Sequence, residues 1–537
     1  MGRFEAGDTP RDVIERVRQH APDGWERVWQ DAGSLAVGKL RLAGVYDDRQ
    51  DGYFMLRIRI PAGRLTWQQT QAIGQIAADY ARKPDPDSEG PDAFLELTTR
   101  QDVQLHWIRF EALPAIWDRL DAVGLLSLQA CGDTARNVTG CPVAGIDQHQ
   151  IFDASSVVEQ VNQYVLDTPE VTAFLPRKFK IAITGCATDC ILAGINDLAF
   201  TPARRGRRLG FHVWAGGGLS DYPRLASPLD LFVLPGEVVA VVNACLRLFK
   251  DQGDPVHKAV NRFRALVADL GPERVRQEII QRLGEALPGA GEDLSTWAAC
   301  DHVGVIPQLD PERVYVGLNV PVARVSGVEM VEAGRLAREY GDGGVRLTQR
   351  QNLILTGVPR NRVDALLQEP LLARLRPDPD PFQRAVVACT SAPFCKFGIF
   401  NVKEKGTQLA EQLRAGVSPA TAKRLDALRL HVSGCKAACA QIHVGHIGLR
   451  ATTIKDEERY DEAFDVALGG DVGHGKLARW VAHEVPVAQA FDGIAALLER
   501  YAAEAAADEA LEHYLARTDV DRLAALFTTE PIPAGVR

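Results

Sequence analysis

The chain has 537 residues, of which 46% are hydrophobic and 24% charged, and its formal net charge is −9. These values predict a soluble, globular protein of about three to four domains. The negative charge argues against general nucleic-acid or anionic-membrane binding. No apolar run of about eighteen residues predicts a membrane helix, and the first residues lack the order of a signal peptide. We therefore expect a cytoplasmic protein whose cysteines stay reduced or bind metal.

Strands and helices alternate in the predicted elements. Residues 53–60 alternate polar and apolar side chains, which is typical of a half-buried strand. A helix is predicted over residues 67–80, and a second strand over 96–105. The remaining predictions are turns in the proline-rich stretches near 83–91 and 376–381 and long helices over 255–270 and 487–516.

Two segments of the first half recur in the second. Residues 96–105 match 346–355, and residues 180–190 match 429–439, each with an offset of about 250 residues. The Ala-Cys step ending at Cys131 also matches the one ending at Cys389. These matches predict a duplicated half and a mixed α+β chain with two pseudo-equivalent halves.

Four cysteines of the second half form two close pairs. The spacing is Cys389-x5-Cys395 followed by Cys435-x3-Cys439. Four thiolates from two loops suit an iron–sulfur cube, because each iron takes one soft sulfur ligand. Structural zinc is the second interpretation, although zinc pairs are usually two to four residues apart. Two redox-inert buried pairs are the third.

The cysteine segments, Ala-Cys-Thr-Ser-Ala-Pro-Phe-Cys at 388–395 and Ser-Gly-Cys-Lys-Ala-Ala-Cys at 433–439, carry a family resemblance. The chain resembles the siroheme/[4Fe-4S] sulfite and nitrite reductases of the assimilatory, ferredoxin-type single-chain form. The resemblance runs from about Gly44 to about Ala505 and implies that the Cys439 thiolate bridges a cluster iron to the siroheme iron. The family often has Pro-Asn-Ser between the last two cysteines, where this chain has Lys-Ala-Ala.

The family fold implies two pseudo-twofold-related halves, each a small ferredoxin-like half-domain plus a larger α/β cofactor-binding domain. We expect an N-terminal segment with the first half-domain at 1–118 and the first α/β domain, with the substrate pocket, at 119–300. The second half-domain is expected at 301–376. The second α/β domain, with the cluster and siroheme ligands and the C-terminal helices, is expected at 377–537.

The resemblance also implies a cationic pocket for a small anion. It points to Arg57, Arg136, Lys178 and Lys180 as catalytic residues. Arginine offers a planar fork for oxyanions, and lysine donates protons because its pKa shifts readily when buried. The assignment of Arg57 is less distinct, because Arg59 lies two residues later on the same strand face.

The carboxylates of siroheme need cationic and polar partners. Family positions near the macrocycle imply this role for five residues besides Cys439: Arg100, Gln101, Arg350, Gln351 and Asn352.

Sulfite is the expected anion, and nitrite is the alternative. Sulfite reductases of the family typically have the second lysine of the Lys-x-Lys pair, here Lys180, and an added cation favours the more highly charged anion. Tyr46 and Cys131 resemble a Tyr and a Cys beside the pocket of some sulfite reductases, which certain members join covalently.

Four cysteines of the first half form a possible second metal centre: Cys131, Cys141, Cys186 and Cys190. In this interpretation Cys131 mirrors Cys389, and Asn137 takes the place of Cys395. The centre is either a degenerate copy of the cluster site or a second iron–sulfur cluster. A metal-bound Cys131 could not also bond Tyr46. Cys245 and Cys300 are expected to be structural.

The sequence therefore predicts a six-electron reduction of sulfite to sulfide, with nitrite to ammonia as the alternative. Further alternatives are a precorrin-type oxygenase and a non-catalytic iron–sulfur electron-transfer subunit. The three glycines at 216–218 lack the G-x-G-x-x-G order of a dinucleotide site, so a separate ferredoxin-like donor is expected. We expect a monomer or a loose oligomer.

Overall fold

The structure is a computed structural model that describes residues 4–85, 92–257, 261–296, 298, 300–425, 427–456 and 459–528. It divides into two compact units. Unit 1 spans 1–218, 224–320 and 324–377, and unit 2 spans 219–223, 321–323 and 378–537. The four-domain division predicted above stays a prediction.

Unit 1 contains the first sixteen strands and twelve helices of the described chain. Its helices are α1 (Pro10–His20), α2 (Trp25–Leu40), α3 (Trp67–Tyr80), α4 (Leu113–Asp121), α5 (Ser155–Asp167), α6 (Pro169–Thr172), α7 (Val238–Gln252), α8 (Phe263–Leu270), α9 (Pro272–Leu283), α10 (Gly327–Tyr340), α11 (Val363–Leu367) and α12 (Pro370–Arg374). Its strands are β1 (Val45–Asp47), β2 (Tyr53–Ile58), β3 (Arg64–Thr66), β4 (Phe94–Leu97), β5 (Val103–Arg109), β6 (Ala135–Gly140), β7 (Phe179–Ile183), β8 (Leu198–Arg205), β9 (Arg208–Ala215), β10 (Ser227–Val233), β11 (Glu292–Asp293), β12 (Gly304–Pro307), β13 (Arg313–Leu318), β14 (Arg324–Ser326), β15 (Gly344–Leu347) and β16 (Leu353–Pro359).

Unit 2 contains the remaining elements. They are β17 (Val386–Ala388), β18 (Leu430–Ser433), β19 (Ile447–Asp456), β20 (Arg459–Leu468), β21 (Arg479–Pro486), α13 (Pro381–Ala385), α14 (Val402–Gly416), α15 (Pro419–Ala422), α16 (Val487–Glu504), α17 (Leu511–Arg517) and α18 (Val520–Ala524).

Two small sheets of unit 1 exchange edge strands. Their orders are β1-β2-β5-β4-β14 and β12-β13-β16-β15-β3, so each sheet ends in a strand from the other half of the sequence. Each exchanged strand leads directly into a helix. A capping box of Thr66 and Gln69 starts α3, and one of Ser326 and Glu329 starts α10. The sequence repeat therefore corresponds to a structural repeat.

A third sheet of unit 1 has the order β10-β9-β8-β7-β6, with β11 pairing with β8. Strands β6, β7 and β8 run parallel, and β8 to β10 are antiparallel. Apolar side chains from this sheet and from α5, α7, α8 and α9 form the core. Parallel strands put the loops after β6 and β7 at one sheet edge.

Unit 2 contains one sheet, of order β17-β18-β19-β20-β21. Its first three strands are parallel and its last two are antiparallel to their neighbours. Helices α14 and α16 supply much of the apolar core. Within each unit, parallel strands lead into the cysteine-bearing loops.

The structure confirms the helix over 67–80 and changes other predicted elements. The strand over 96–105 is two strands, because Gln101 has φ +61° and turns the chain between them. The strand at 53–60 ends at Ile58, and the C-terminal helix is broken between Glu504 and Leu511. Helix α8 begins at Phe263, and residues 258–260 and 86–91 lie outside the described residues.

Candidate cofactor and anion sites

Two loops of unit 2 carry the four cysteines predicted to bind the cluster. Strands β17 and β18 are parallel neighbours, with Ala388 opposite Val432. Cys389 is the first residue after β17, and Cys435 lies in the loop that follows β18. Because the strands are parallel, both cysteine loops start from the same edge of the sheet.

Gly434 lets the two cysteine loops approach closely. Its backbone N–H donates to Cys389 Sγ at 3.1 Å, and its carbonyl accepts from the N–H of Ile399 at 3.0 Å. A Cβ at this position would stand 1.9 Å from Ser391 Oγ, which itself donates to the Phe400 carbonyl. A larger residue than glycine therefore conflicts with the loop that carries the first cysteine pair.

The donor set fits a four-iron cluster. Three of the four cysteines are half-buried, and Cys439 is exposed. Burial raises the pKa of the Cys389 thiol, and the nearby Cys439 and Cys435 thiols raise it further. A metal centre would hold these sulfurs as thiolates. The siroheme bridge predicted for the exposed Cys439 stays a prediction.

Arg57 and Arg136 of unit 1 converge on one carbonyl. Nη1 of Arg57 and Nη1 of Arg136 donate to the Ala130 oxygen at 3.3 and 3.1 Å. Arg136 also donates to the Gly132 oxygen through Nε at 2.9 Å and Nη2 at 2.7 Å. The chain before β6 thus places both predicted anion-binding guanidinium groups in one neighbourhood.

Lys178 and Lys180 flank the buried Phe179 at the start of β7, and both are half-buried. Burial lowers the pKa of Lys180 well below its ordinary value, and the positive charges of Arg100 and Arg262 lower it further. This ammonium can therefore lose its proton more easily than an exposed lysine. Arg262 lies in no recognisable sequence motif, so the sequence did not predict its position near Lys180.

Arg262 is fixed by a buried ion pair. Its Nη2 lies 3.0 and 2.8 Å from the two carboxylate oxygens of Asp197, and the Lys180 backbone N–H also donates to Asp197. The Asp197 side chain is fully buried. This carboxylate therefore anchors the start of β7.

Arg59 has a different role from Arg57. It is 3% exposed. Its Nε donates to Asn162 and its terminal nitrogens to three carbonyls, those of Gln129, Ala135 and Arg136. The side chain therefore supports the backbone that carries Arg136.

The buried carboxylate of Asp102 balances only part of the positive charge of the basic side chains near it. Burial raises the pKa of Asp102 to about 6, while Arg57, Arg100 and Arg59 act to lower it. The six basic side chains at 57, 59, 100, 136, 178 and 180 outnumber the Asp102 and Asp197 carboxylates. This excess of positive charge favours an anion.

Arg100 is anchored on the protein interior. Nη2 donates to the carbonyls of Asn137 at 2.6 Å and Ile181 at 3.2 Å, and Nη1 donates to Asn196 Oδ1 at 3.0 Å. Arg350 occupies the equivalent half-buried position before Gln351. Both remain predicted siroheme partners.

The predicted amide donors hold the two small sheets together. Gln101 Nε2 donates to the carbonyls of Ala62, Gly140 and Leu347, each at 3.0 Å. Gln351 Nε2 donates to the Leu97 carbonyl at 2.9 Å, which repeats the contact across the pseudo-twofold.

The side chain of Asn352 also forms hydrogen bonds within the protein. Its Oδ1 accepts from Asn319 Nδ2 at 3.2 Å and from the Val320 N–H at 2.9 Å. The structure thus places all three amides on protein groups, and their siroheme contacts stay a prediction.

Tyr46 and Cys131 lie near each other through the Gly132 backbone. The Tyr46 hydroxyl accepts from the Gly132 N–H at 3.2 Å, and Cys131 Sγ lies 3.6 Å from the Gly44 carbonyl oxygen. Burial raises the pKa of the Cys131 thiol.

The other first-half cysteines come together away from Cys131. Cys141, Cys186 and Cys190 share a buried cluster with Tyr315, against which Cys300 packs. The strand register also corrects the predicted repeat. Gly140 is opposite Ile183 in unit 1, as Ala388 is opposite Val432 in unit 2, so Cys141 and not Cys131 corresponds to Cys389.

The three glycines at 216–218 allow close backbone packing. A Cβ at Gly217 would stand 2.4 Å from the Gly194 oxygen and 2.6 Å from the Asn196 oxygen, and one at Gly216 would stand 2.8 Å from Val267. These glycines therefore allow close packing within unit 1.

Comparison with known proteins decides the family. The family model for the nitrite and sulphite reductase 4Fe-4S domain matches residues 131–287, and the model for the nitrite/sulfite reductase ferredoxin-like half domain matches 46–123 and 306–373. The chain belongs to the nitrite and sulfite reductase family. It is therefore a siroheme-containing oxidoreductase with a [4Fe-4S] cluster, and it reduces a small oxyanion.

Individual relatives match over nearly their whole length. The chain is 36% identical to the assimilatory ferredoxin-dependent nitrite reductase of Haloferax mediterranei, over 96% of this chain and 91% of that one. It is also 36% identical to the ferredoxin–nitrite reductase of Synechococcus elongatus, over 88% and 91%. The solved structure of Mycobacterium tuberculosis NirA superposes with a TM-score of 0.86 at 28% identity, over 96% and 95% of the two chains.

These matches confirm the predicted family, fold class and cofactors of the reductase. The relatives are named for nitrite reduction, so they favour the nitrite alternative over the sulfite preference expected from Lys180. They also favour a reductase over the oxygenase and the non-catalytic subunit. Among the described residues, no helix is long and apolar enough to cross a membrane.

Proposed function

We propose that the protein reduces nitrite to ammonium with electrons from a ferredoxin-type donor. The observation that carries the proposal is the 36% identity, over nearly the full length of both chains, to an assimilatory ferredoxin-dependent nitrite reductase. In this reaction nitrite takes up six electrons and eight protons and yields ammonium and two water molecules. Siroheme supplies the iron at which the anion is reduced, and the cluster supplies electrons singly.

Cys389, Cys395, Cys435 and Cys439 would hold the cluster, and Cys439 would also bind the siroheme iron. Arg57 and Arg136 would hold the anion, because their guanidinium groups are neighbours at the Ala130 carbonyl and a guanidinium group suits an oxyanion. Arg100 and Arg350 would face siroheme carboxylates. A ferredoxin-type donor agrees with the absence of a dinucleotide motif in the sequence.

Lys178 and Lys180 would deliver protons to the departing oxygens. The lowered pKa of Lys180 supports this role, because a general acid works best when its pKa is near the working pH.

Steady-state kinetics with nitrite and sulfite test the proposal. With reduced ferredoxin as donor, we expect kcat/KM for nitrite to exceed that for sulfite by at least about tenfold, which is about 1.4 kcal/mol of transition-state stabilisation. Ammonium should form at one mole per six moles of ferredoxin oxidised. A higher kcat/KM for sulfite, with sulfide as product, would contradict the proposal.

A further inference from the structure

Unit 1 has a cluster of metal-ligating side chains that the reductase chemistry does not use. The ligand atoms of Cys141, Cys190 and His302 all lie within 4.8 Å of one another, and so do those of Cys141, Asp147 and Cys186. We propose that Cys141, Cys186, Cys190 and His302 bind one zinc ion. Cys141 belongs to both groups, so its sulfur lies close to each of the other proposed ligands.

The fold brings these residues together from three parts of the sequence. Cys141 directly follows β6, and Cys186 and Cys190 lie in the loop after its parallel neighbour β7. His302 lies just before β12. A zinc ion would therefore fasten the parallel sheet to the segment that enters the second small sheet, all within unit 1.

The site reuses the loop frame of the four-iron centre. Cys141-x5-Asp147 repeats the spacing of Cys389-x5-Cys395, with an aspartate in place of the second cysteine. The Gly185 carbonyl accepts from the Ile151 N–H at 2.8 Å, as the Gly434 carbonyl accepts from Ile399. The first-half loops are thus a modified copy of the second-half loops.

The distances favour one ion over a cube. Ligands of a tetrahedral zinc at Zn–S bonds of about 2.3 Å are close neighbours, whereas thiolates on different irons of a cube stand farther apart. The Cys141 sulfur lies within 4.8 Å of the ligand atom of each of the other three proposed ligands, and those of Cys190 and His302 lie within 4.8 Å of each other.

His302 supplies independent support for a bound metal. Its side chain is 3% exposed, and its Nε2 has no hydrogen-bond partner among the described residues. Its Nδ1 lies 3.1 Å from the Tyr315 hydroxyl. Metal-bound histidines commonly use one nitrogen for the ion and the other for a supporting hydrogen bond. The unpartnered nitrogen is therefore explained by a missing ligand.

The ligand chemistry selects zinc. Three thiolates and a neutral imidazole are a common tetrahedral zinc set, and all four residues are buried, which leaves no open position for substrate. Binding would release three thiol protons and leave a site of net charge −1. Asp147 would lie beside the thiolates, since carboxylates suit harder ions better.

Metal analysis of the holoenzyme tests the proposal. We expect about one zinc per chain beside the roughly five irons of one siroheme and one cluster. X-ray absorption at the zinc edge should show mainly sulfur at about 2.3 Å with a nitrogen shell at about 2.0 Å. The zinc content and the zinc-edge spectrum do not depend on turnover, so an enzyme that fails to reduce nitrite would still test the zinc proposal.

Variants locate the ion. Cys190→Ala and His302→Ala should lose at least about 90% of the zinc while they keep siroheme absorbance and iron. Cys245→Ala is the matched control, because Cys245 is buried in α7 and belongs to a different hydrophobic core from the proposed zinc ligands. This variant should keep its zinc.

Four results would overturn the proposal, whether or not the variants fold. The first is wild-type enzyme that neither contains zinc nor takes it up from zinc buffer, and the second is a zinc coordination shell of oxygen and nitrogen only. The third is an iron content of about nine per chain, which would indicate a second iron–sulfur cluster. The fourth is a disulfide at Cys141, detected by non-reducing mass spectrometry of the purified protein.

Discussion

Lys178 and Lys180, the proposed proton donors, show which properties of a residue the sequence predicts and which it does not. The spacing of Lys178 and Lys180 around a buried Phe179 was visible in the sequence. Their environment was not, because Arg262 and Asp197 reach β7 from distant segments without any motif. The three backbone carbonyls that accept from Arg59 were likewise not visible in the sequence.

The lowered pKa of Lys180 predicts a pH dependence. In the proposed function the ammonium form of Lys180 holds the anion and donates protons, so activity should fall as pH rises through the lysine pKa. Because burial and neighbouring arginines lower that pKa, the alkaline limb of kcat/KM should lie below the ordinary lysine value of about 10.4. Lys180→Arg should shift the limb upward and reduce kcat about 10- to 100-fold, since arginine does not release its proton.

Lys250→Arg provides the control for this pH profile. Lys250 is exposed, and its Nζ donates to the Glu170 carbonyl away from the cationic residues. Its substitution should leave both the limb and kcat unchanged. An unchanged alkaline limb in Lys180→Arg would show that another group sets it.

At the level of elements, local signals predicted helices better than loops. Thr66 and Gln69 cap α3 and fix its start, so the sequence pattern gave correct bounds. The apparent strand over 96–105 failed because the left-handed conformation of Gln101 depends on its three carbonyl contacts elsewhere in unit 1. The Cys131 assignment failed because the Ala130-Cys131 step lies before β6 begins, whereas the matching Ala388-Cys389 step lies at the end of β17.

The proposed zinc site had a partial signal in the sequence. An offset of 248 residues relates Cys141 to Cys389 and also Asp147 to Cys395, close to the offset of the other matched segments. His302 had no such signal, since it reaches the site from outside the repeated loops.

The close approach of the two cysteine loops predicts a strong effect of Gly434→Ala. The new Cβ would stand 1.9 Å from Ser391 Oγ and displace the loop that carries Cys389. We expect a loss of about 1–3 kcal/mol in stability and a fall in iron from about five to at most about one per chain. Iron and acid-labile sulfide assays measure the loss.

Gly416→Ala is the matched substitution in the same unit. Gly416 ends α14, and nothing lies within 4 Å of a Cβ built there. This variant should retain full iron and sulfide. Full cluster content in Gly434→Ala would show that the loops can separate without losing their ligands.

On the scale of the whole molecule, the duplication produces interlocked sheets and not two separate halves of unit 1. The sequence repeat predicted the pseudo-symmetry, but it could not predict that β3 and β14 exchange sheets. Edge-strand pairing is decided by long-range geometry, which a period-two pattern does not encode. The reciprocal contacts of Gln101 and Gln351 follow from the same exchange.

The exchange depends on close contact between α3 and α10, which predicts the cost of filling it. A Cβ at Gly74 would stand 2.6 Å from the Gly327 oxygen and 2.7 Å from the Val331 nitrogen. Both are backbone atoms, so the helices must separate.

Alanine favours helix over glycine by about 0.8–1.0 kcal/mol, but overpacking costs about 1–3 kcal/mol. Gly74→Ala should therefore lower the apparent thermal midpoint of unfolding, whereas Gly38→Ala in α2, with nothing within 4 Å, should preserve or raise it. Equal midpoints for the two variants would mean that the two small sheets tolerate separation and are not held together by this contact.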